Sequence, residues 1–356
     1  MGERSRRPGT AAGSYARFLA RRSILAVLVL LGVVVIVFFL SRVIPADPAG
    51  LWAGPHARPQ DLVAARAQLH LDEHPLAQFG YYLNALLHGD LGVSIRTHSP
   101  VVGDLAGALP ATLELIITSL SLAMLIGIPL GVYAGVERGR WPDHVTRALA
   151  VGGVSIPTFW FAVMLQVVFV QIFDILPLQG RFTDGVAIQY PQRTITGFLV
   201  LDSLLQGNVV RMVDALTHLV LPAITLALYP IGLVARMVRT MMVETLSENY
   251  VRTARAYGLP ARFIHYRLAL KNAIAPAIVA LGLSVAYQLT GAFLVEQIFV
   301  WNGIGQYAFQ SAISFDYPAI LGTAIVIALF YVIVNLVVDL VQSFLDPRVV
   351  LTRKET

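Results

Sequence analysis

Six stretches of this chain contain no Asp, Glu, Lys or Arg: residues 23–41, 115–136, 148–173, 215–235, 272–295 and 317–338. They are 19, 22, 26, 21, 24 and 22 residues long, and a helix needs about 20 apolar residues to cross the hydrocarbon of a bilayer. Backbone groups in lipid have no water to bond to, so a crossing segment must satisfy them internally, as a helix does. The pattern predicts an all-α membrane protein with six transmembrane helices. Composition agrees: 56% of the 356 residues are hydrophobic and 13% charged, with a mean hydropathy of +0.70, far oilier than a soluble domain.

A seventh uncharged window, 297–315, is long enough to cross but carries Gln297, Asn302, Gln306, Gln310 and two glycines. It reads as an interfacial or re-entrant loop. The distribution of cations supports this, because short cytoplasmic loops are enriched in Lys and Arg. With six spans and the N-terminus inside, the inner segments hold 19 of the 26 Lys and Arg residues and the outer ones seven. A seventh crossing would put Arg348, Arg353 and Lys354 outside, so both termini are expected in the cytoplasm. The net charge of +5 follows from this topology and implies no nucleic-acid partner. The first apolar run, Ile24–Leu40, is 17 residues, longer than the core of a secretory signal, and is read as an uncleaved first span.

The remaining organisation follows. Residues 1–22 form a cytoplasmic segment, 23–43 the first span, 44–107 an extracytoplasmic subdomain, 108–345 the main membrane domain and 346–356 a cytoplasmic tail. In the subdomain, PQDLVAARAQLHL has Leu62, Ala65 and Leu69 at helical spacing with Asp61 near its start. Residues 174–214 read as a loop. Pro129, Pro157, Pro222, Pro230 and Pro276 punctuate the spans, each removing a helical hydrogen bond and inviting a kink.

The middles of the spans carry no Asp, Glu, Lys or Arg, whereas proton- and ion-coupled carriers place ionisable groups there. His218 alone is titratable within a span, at its outer end. No HExxH, GxSxG or phosphate-loop pattern occurs, and with no cysteine thiolate chemistry is excluded. The expected sets of catalytic, cofactor-binding and metal residues are empty, and an energy source must bind on another chain.

One cytoplasmic stretch departs from the oily pattern: ENYVRTARAYGLPARFIHYRLALKN, residues 248–272, with five Arg or Lys and His265. Thr245 and Glu248 have capping-box spacing, Gly258 suits a left-handed helix end and Pro260 prevents continuation, so a helix is expected over about 245–258. Tyr250, Val251, Ala254, Tyr257 and Gly258 share one face of it, small in the middle and suited to a partner's groove, while Arg252 and Arg255 flank them. The same spacing also fits a basic helix lying on anionic lipid.

The segment YVRTARAYGL, with Pro276 following its glycine by 18 residues, resembles the cytoplasmic loop of binding-protein-dependent ABC importer permeases. Arg252, Thr253 and Ala254 occupy the places of that family's EAA signature before Gly258, so one letter of three agrees, and the RTA variant is similar to the dipeptide, oligopeptide and nickel branch. GDLGVSI (89–95), LPATLEL (109–115), ARMVRTMMVE (235–244), EQIFVWNGIGQ (296–306), DYP (316–318), NLVVDLV (335–341) and DPR (346–348) resemble the same branch in order and spacing. The subdomain between the first two spans resembles its B-type subunit. Tyr257 stands where the family often has Lys, and Asn302 where it often has Pro.

The resemblance implies a type I ABC importer permease fold whose short cytoplasmic helix, the coupling helix, docks in a cleft of a separate ATPase. Carried onto this sequence, the coupling residues are Tyr250, Val251, Arg252, Thr253, Ala254, Arg255, Ala256, Tyr257 and Gly258. The implied partners are a second, similar permease, two ATP-binding subunits that hold the ATP and Mg, an extracytoplasmic solute-binding protein and the lipid of the cell membrane. Ser119, Ser155, Gln166, Thr225, Gln288 and Thr290 are the small polar positions able to line a central path, although such residues also bond between membrane helices. Peptide, nickel and glutathione all fit the branch as cargo. A self-contained channel or ion-coupled carrier is the alternative from a different class.

Overall fold

The computed structural model describes residues 11–43, 48–54 and 56–345. The expected tail, 346–356, with its DPR stretch, and the first ten residues of the N-terminal segment lie outside them. The chain divides into two bodies, residues 45–323 and residues 1–44 with 324–356. Helices α1 (Ala11–Val43) and the later part of α15 (Tyr317–Leu345) make up the described part of the smaller body. Arg22 and Asp339 form an ion pair there at 2.6 Å.

The larger body begins with the outer subdomain: α2 (Pro48–Ala53), α3 (Pro59–Gln68) and α4 (Pro75–Leu87). The helix expected from PQDLVAARAQLHL is α3. It starts on Pro59, whose missing N–H costs nothing in the first turn, and the Arg58 backbone N–H donates to Asp61 Oδ2 at 3.0 Å.

The long helices follow: α5 (Val101–Val136), the pair α6 (Trp141–Ser155) and α7 (Thr158–Gln166), α8 (Asp184–Gln189), α9 (Leu199–Leu205) and α10 (Val209–Leu246). After them come α11 (Asn249–Ala256), α12 (Ala261–Phe263), α13 (Leu270–Phe299) and α14 (Ile304–Ile313). π-Helical turns extend α7 over Val167–Ile172 and join α12 to α13 over Ile264–Ala269. Among the described residues, five helices are long and apolar enough to cross a membrane, and a sixth is counted if α6 with α7 and its extension, bent by 104°, is taken as one span.

One expectation changes and two are sharpened. The 174–214 loop contains α8, α9 and the first turns of α10. Residues 297–315 hold the end of α13 and the ten-residue α14, about 15 Å long at 1.5 Å per residue and too short to cross. Of the five prolines, only Pro157 coincides with a break; Pro129, Pro222, Pro230 and Pro276 lie inside continuous helices. Pro157 follows Gly152 and Gly153, which already weaken the last turn of α6 by roughly 1 kcal/mol each. Ile156 then takes the extended conformation (ψ 122°) that a following proline favours.

The core of this body is α10 held between α5 and α13. Gly127, Gly131 and Gly135 recur every four residues on α5 and meet Val234, Val238 and Met242, which recur every four on α10. A Cβ placed on Gly131 would lie 2.7 Å from both the Ala235 carbonyl oxygen and Val238 Cβ, so only glycine permits this approach. Ala269, Ala273, Ala277 and Leu281 form a second four-residue ridge and complete the cluster. Small residues bring membrane helices together where the hydrophobic effect supplies no drive.

Candidate functional site

The basic cytoplasmic stretch folds as a short helix seated on its own chain. Helix α10 runs through Thr245, which is buried, and ends at Ser247; Glu248 is the extended N-cap of α11 (φ −66°, ψ 150°). The helix therefore covers 249–256 and not the expected 245–258, and Thr245 caps nothing. Its far end is as expected. Gly258 has φ +74°, its N–H donates to the Arg255 carbonyl at 3.0 Å, and the Leu259 N–H donates to Ala254 at 3.2 Å. That is the double closure of a Schellman motif.

The predicted face divides. Val251 is fully buried and Ala254 nearly so, against Ile264 with Leu246 and Leu268 around them. These two residues anchor α11 to the turn leading into α13 and are not free for a partner. Burying a valine stabilises by roughly 1.5–3 kcal/mol. Tyr250 adds a second tie, its hydroxyl accepting from Asn272 Nδ2 of α13 at 2.8 Å. The free surface consists of Tyr250, Arg252, Thr253, Arg255, Ala256, Tyr257 and Gly258, with the Tyr257 ring 82% exposed. Helix α11 is thus tied to α10 through one bend and to α13 through Tyr250.

Behind this helix, α10 is fastened to α6. Asp143, 1% exposed, accepts from Arg239 Nε and NH2, both at 2.9 Å, and from the Gly139 N–H at 3.0 Å. Two parallel bonds fix the guanidinium plane. Nothing in the local sequence of either residue marked this pair.

The polar positions proposed for a path separate into two groups. Ser119, Thr225 and Gln288 are buried and come together from α5, α10 and α13. The Ser119 hydroxyl lies 2.8 Å from the Ile116 carbonyl and 2.5 Å from Gln288 Oε1, and Thr225 donates to Leu221 at 2.8 Å. Gln288 Nε2 is buried without a partner, which costs about 1–3 kcal/mol. Thr225 and Gln288 line a cavity of about 10 Å³. The others lie elsewhere: Ser155 is exposed at the end of α6, Thr290 is exposed on α13, and Gln166 donates to the carbonyls of Leu178 and Ile298 at 3.0 and 3.4 Å.

A polar cluster at the other end of the bundle was not anticipated. Glu296, fully buried, accepts from Thr112 Oγ1 at 2.5 Å and from the N–H groups of Gly305 and Gln306 at 2.7 and 3.1 Å. Trp301 Nε1 donates to Ala111 at 2.9 Å. Arg181 pairs with Glu114 at 2.6 Å and lies over the Trp301 ring, 5.6 Å from its centre. Asp316 accepts from Ser94 Oγ at 2.5 Å and from the Arg96 N–H at 3.1 Å. The remaining oxygens of Glu114 and Asp316 accept from the N–H groups of Val200 and Ala319, so the cluster is a clasp between the long helices and the loops at their ends.

Residues 127–351 match the family described as binding-protein-dependent transport system inner membrane component, and residues 15–116 match its N-terminal membrane component. The chain is 47% identical to the probable D,D-dipeptide transport system permease protein DdpB of Escherichia coli, over 91% of this chain and 94% of that one. It is 35% identical to the dipeptide transport system permease protein DppB of the same organism, over 94% and 98%. It is 34% identical to the glutathione transport system permease protein GsiC of Salmonella choleraesuis, over 90% and 94%. With these lengths, these motifs and a bundle of membrane-crossing helices, the chain belongs to the binding-protein-dependent transport system inner membrane components, multi-pass proteins of the inner membrane.

Proposed function

We propose that this chain is one permease half of an ATP-driven importer of dipeptides and short oligopeptides, and that α11 is the helix on which a separate ATPase subunit acts. The observation that carries the reading is the division of α11 into two faces. One is buried against the permease's own Ile264; the other presents Tyr250, Arg252, Arg255 and Tyr257 to the cytoplasm. An exposed aromatic beside arginines is the composition of an interface anchor. A second permease completes the path, two ATP-binding subunits hold ATP and Mg, and a solute-binding protein delivers cargo from outside. The peptide assignment follows the substrates named for the relatives.

The work required is definite. Turning a population of bundles from 1:99 to 99:1 takes about 5.5 kcal/mol of differential affinity, and only an element rigidly joined to the spans can deliver it. Two ties, Val251 with Ala254 on Ile264 and Tyr250 on Asn272, provide that join.

The test is uptake of labelled dipeptide into proteoliposomes holding both permeases and the ATPases, with the binding protein on the substrate side. Uptake is expected only with hydrolysable ATP. Tyr257→Asp should lower ATPase copurification at least tenfold while the chain still inserts. Accumulation by this chain alone without nucleotide, or wild-type ATPase recovery with the variant, refutes the proposal.

A further inference from the structure

We propose that Gln288 is a station on the translocation path at which the backbone of the passing peptide is hydrogen-bonded, beside the paired rings of Tyr229 and Tyr287. The inference rests on the peptide-permease reading above and adds to it a binding site within the spans.

Elements of four kinds converge there. The cavity of about 10 Å³ is lined from α6 and α7 by Gly153, Ile156 and Thr158, from α10 by Thr225 and Tyr229, and from α13 by Tyr287, Gln288 and Gly291. Ser119 of α5 closes on the Gln288 amide from a further side. The volume admits about one water, so the site is nearly shut in this conformation. Its wall includes both sides of the 104° break between Ser155 and Thr158, so a change of angle at that break alters the volume directly.

The amide is half used. Ser119 has one hydroxyl hydrogen for two acceptors, the Ile116 carbonyl and Gln288 Oε1, while Nε2 has no partner. Whichever way the amide is turned, one of its ends is left over. A buried group left over in a span calls for an explanation, and a partner met in another state of the cycle supplies one.

The chemistry of that partner is restricted by the wall. No Asp, Glu, Lys, Arg or His lines the cavity, so neither a metal ion nor the charged ends of a peptide are matched here. A neutral peptide bond is matched: it offers one N–H and one C=O, and therefore complements an amide turned either way. The Tyr229 and Tyr287 rings lie 4.4 Å apart, and Tyr287 is 54% exposed. Aromatic faces accept side chains of many shapes, as a carrier of varied peptides requires.

The experiment uses the complete transporter in proteoliposomes and compares uptake of a labelled dipeptide with its trans-alkene isostere, which lacks both the N–H and the C=O. Each is supplied on saturated binding protein. The wild type is expected to favour the dipeptide by about tenfold. Gln288→Met, equal in length but without hydrogen-bonding atoms, should bring the two rates within about twofold by lowering dipeptide uptake alone. Equal rates for both cargoes in the wild type overturn the proposal. So does an unchanged ratio in Gln288→Met, with both rates lowered or neither, which would leave the amide as a helix contact or the seat of a water. If Gln288→Met does not assemble, the same ratio is read with Gln288→Asn, which withdraws the amide by one carbon. Failure of the wild type to import the dipeptide with ATP refutes the permease reading instead.

Discussion

Replacing Asp143 by Ala tests whether α6 and α10 are locked together or merely adjacent. Asp143 lies in the first turn of α6, where a carboxylate also favours the positive end of the helix, and its side chain is 2% exposed. Arg239 is 21% exposed, so the alanine variant leaves a guanidinium mostly out of water with both of its 2.9 Å bonds gone, and the Gly139 N–H loses its acceptor. Removing one partner of a fully buried pair costs about 3–5 kcal/mol. The remaining exposure of Arg239 sets the expectation at the low end, about 3 kcal/mol. Much of that is the penalty of the stranded charge, so Asp143→Ala combined with Arg239→Met should cost less than Asp143→Ala alone. The measurement is a double-mutant cycle in reversible unfolding from mixed micelles, followed by helix circular dichroism, with an expected coupling of about 2 kcal/mol. Additive single-mutant losses would mean that the pair is a solvated contact and that α6 is held on α10 by close packing alone, where Gly153 meets Leu228 and Gly232 meets Ala150.

Two further outcomes follow from the packing and from the outer loop. Gly131→Ala should destabilise by about 1–3 kcal/mol through overpacking against the Ala235 backbone, whereas Gly107→Ala on the same helix, with nothing within 4 Å of a Cβ, should be neutral or slightly stabilising; equal effects in the same unfolding assay would refute the close approach. Asp202 is buried in the 174–214 segment, and although burial pushes its carboxyl up, bonds from the Thr196 hydroxyl at 2.6 Å and from the N–H groups of Thr196, Ile195 and Gly197 hold it below the usual range. A depressed carboxylate stabilises above its unfolded pKa and loses that contribution as pH falls through its folded one. Amide protection at Ile195–Gly197 should therefore be complete at neutral pH and fall away below about pH 4, and Asp202→Asn should abolish the acid dependence; protection that is flat with pH in the wild type would refute the assignment.

The spans were legible because a bilayer imposes one crude rule, no uncompensated charge over about 20 residues, and the rule acts locally. It marked the apolar middles and undercounted the helices. Charge-free residues 115–136 are only the later part of α5, which starts at Val101, and 215–235 the middle of α10, which runs from Val209 to Leu246. The edge carboxylates that ended those windows sit inside helices because each has a partner: Glu114 meets Arg181, and Asp214 accepts from Thr183 at 2.7 Å. A charge in a sequence is read as a boundary; a charge with its partner in place is not one. The short cytoplasmic helix starts later than expected and buries part of its face for a related reason. Spacing put Val251 and Ala254 on one face correctly, yet it could not say that the groove they fill is made by Ile264 of the same chain.

Contacts far apart along the chain are what no window can reveal. Ser94 and Asp316 are 222 residues apart, Thr112 and Glu296 184, and Asp143 and Arg239 96. Each nevertheless has at least one end in a stretch by which the chain resembles its family: Ser94 in GDLGVSI, Asp316 in DYP, Thr112 in LPATLEL, Glu296 in EQIFVWNGIGQ, Arg239 in ARMVRTMMVE. Those motifs read as labels when taken one at a time, because a buried carboxylate and its donors make physical sense only as a set. A change at Thr112 strips a bond from Glu296 and an acceptor from the Ile304 N–H, 2.9 Å away, so several helices depend on one residue. The small polar positions expected to line a path show no such mutual bond apart from Ser119 with Gln288. For that reason the scaffold could be recognised from its motifs, while the proposed contact with cargo rests on an amide with one end left unbonded.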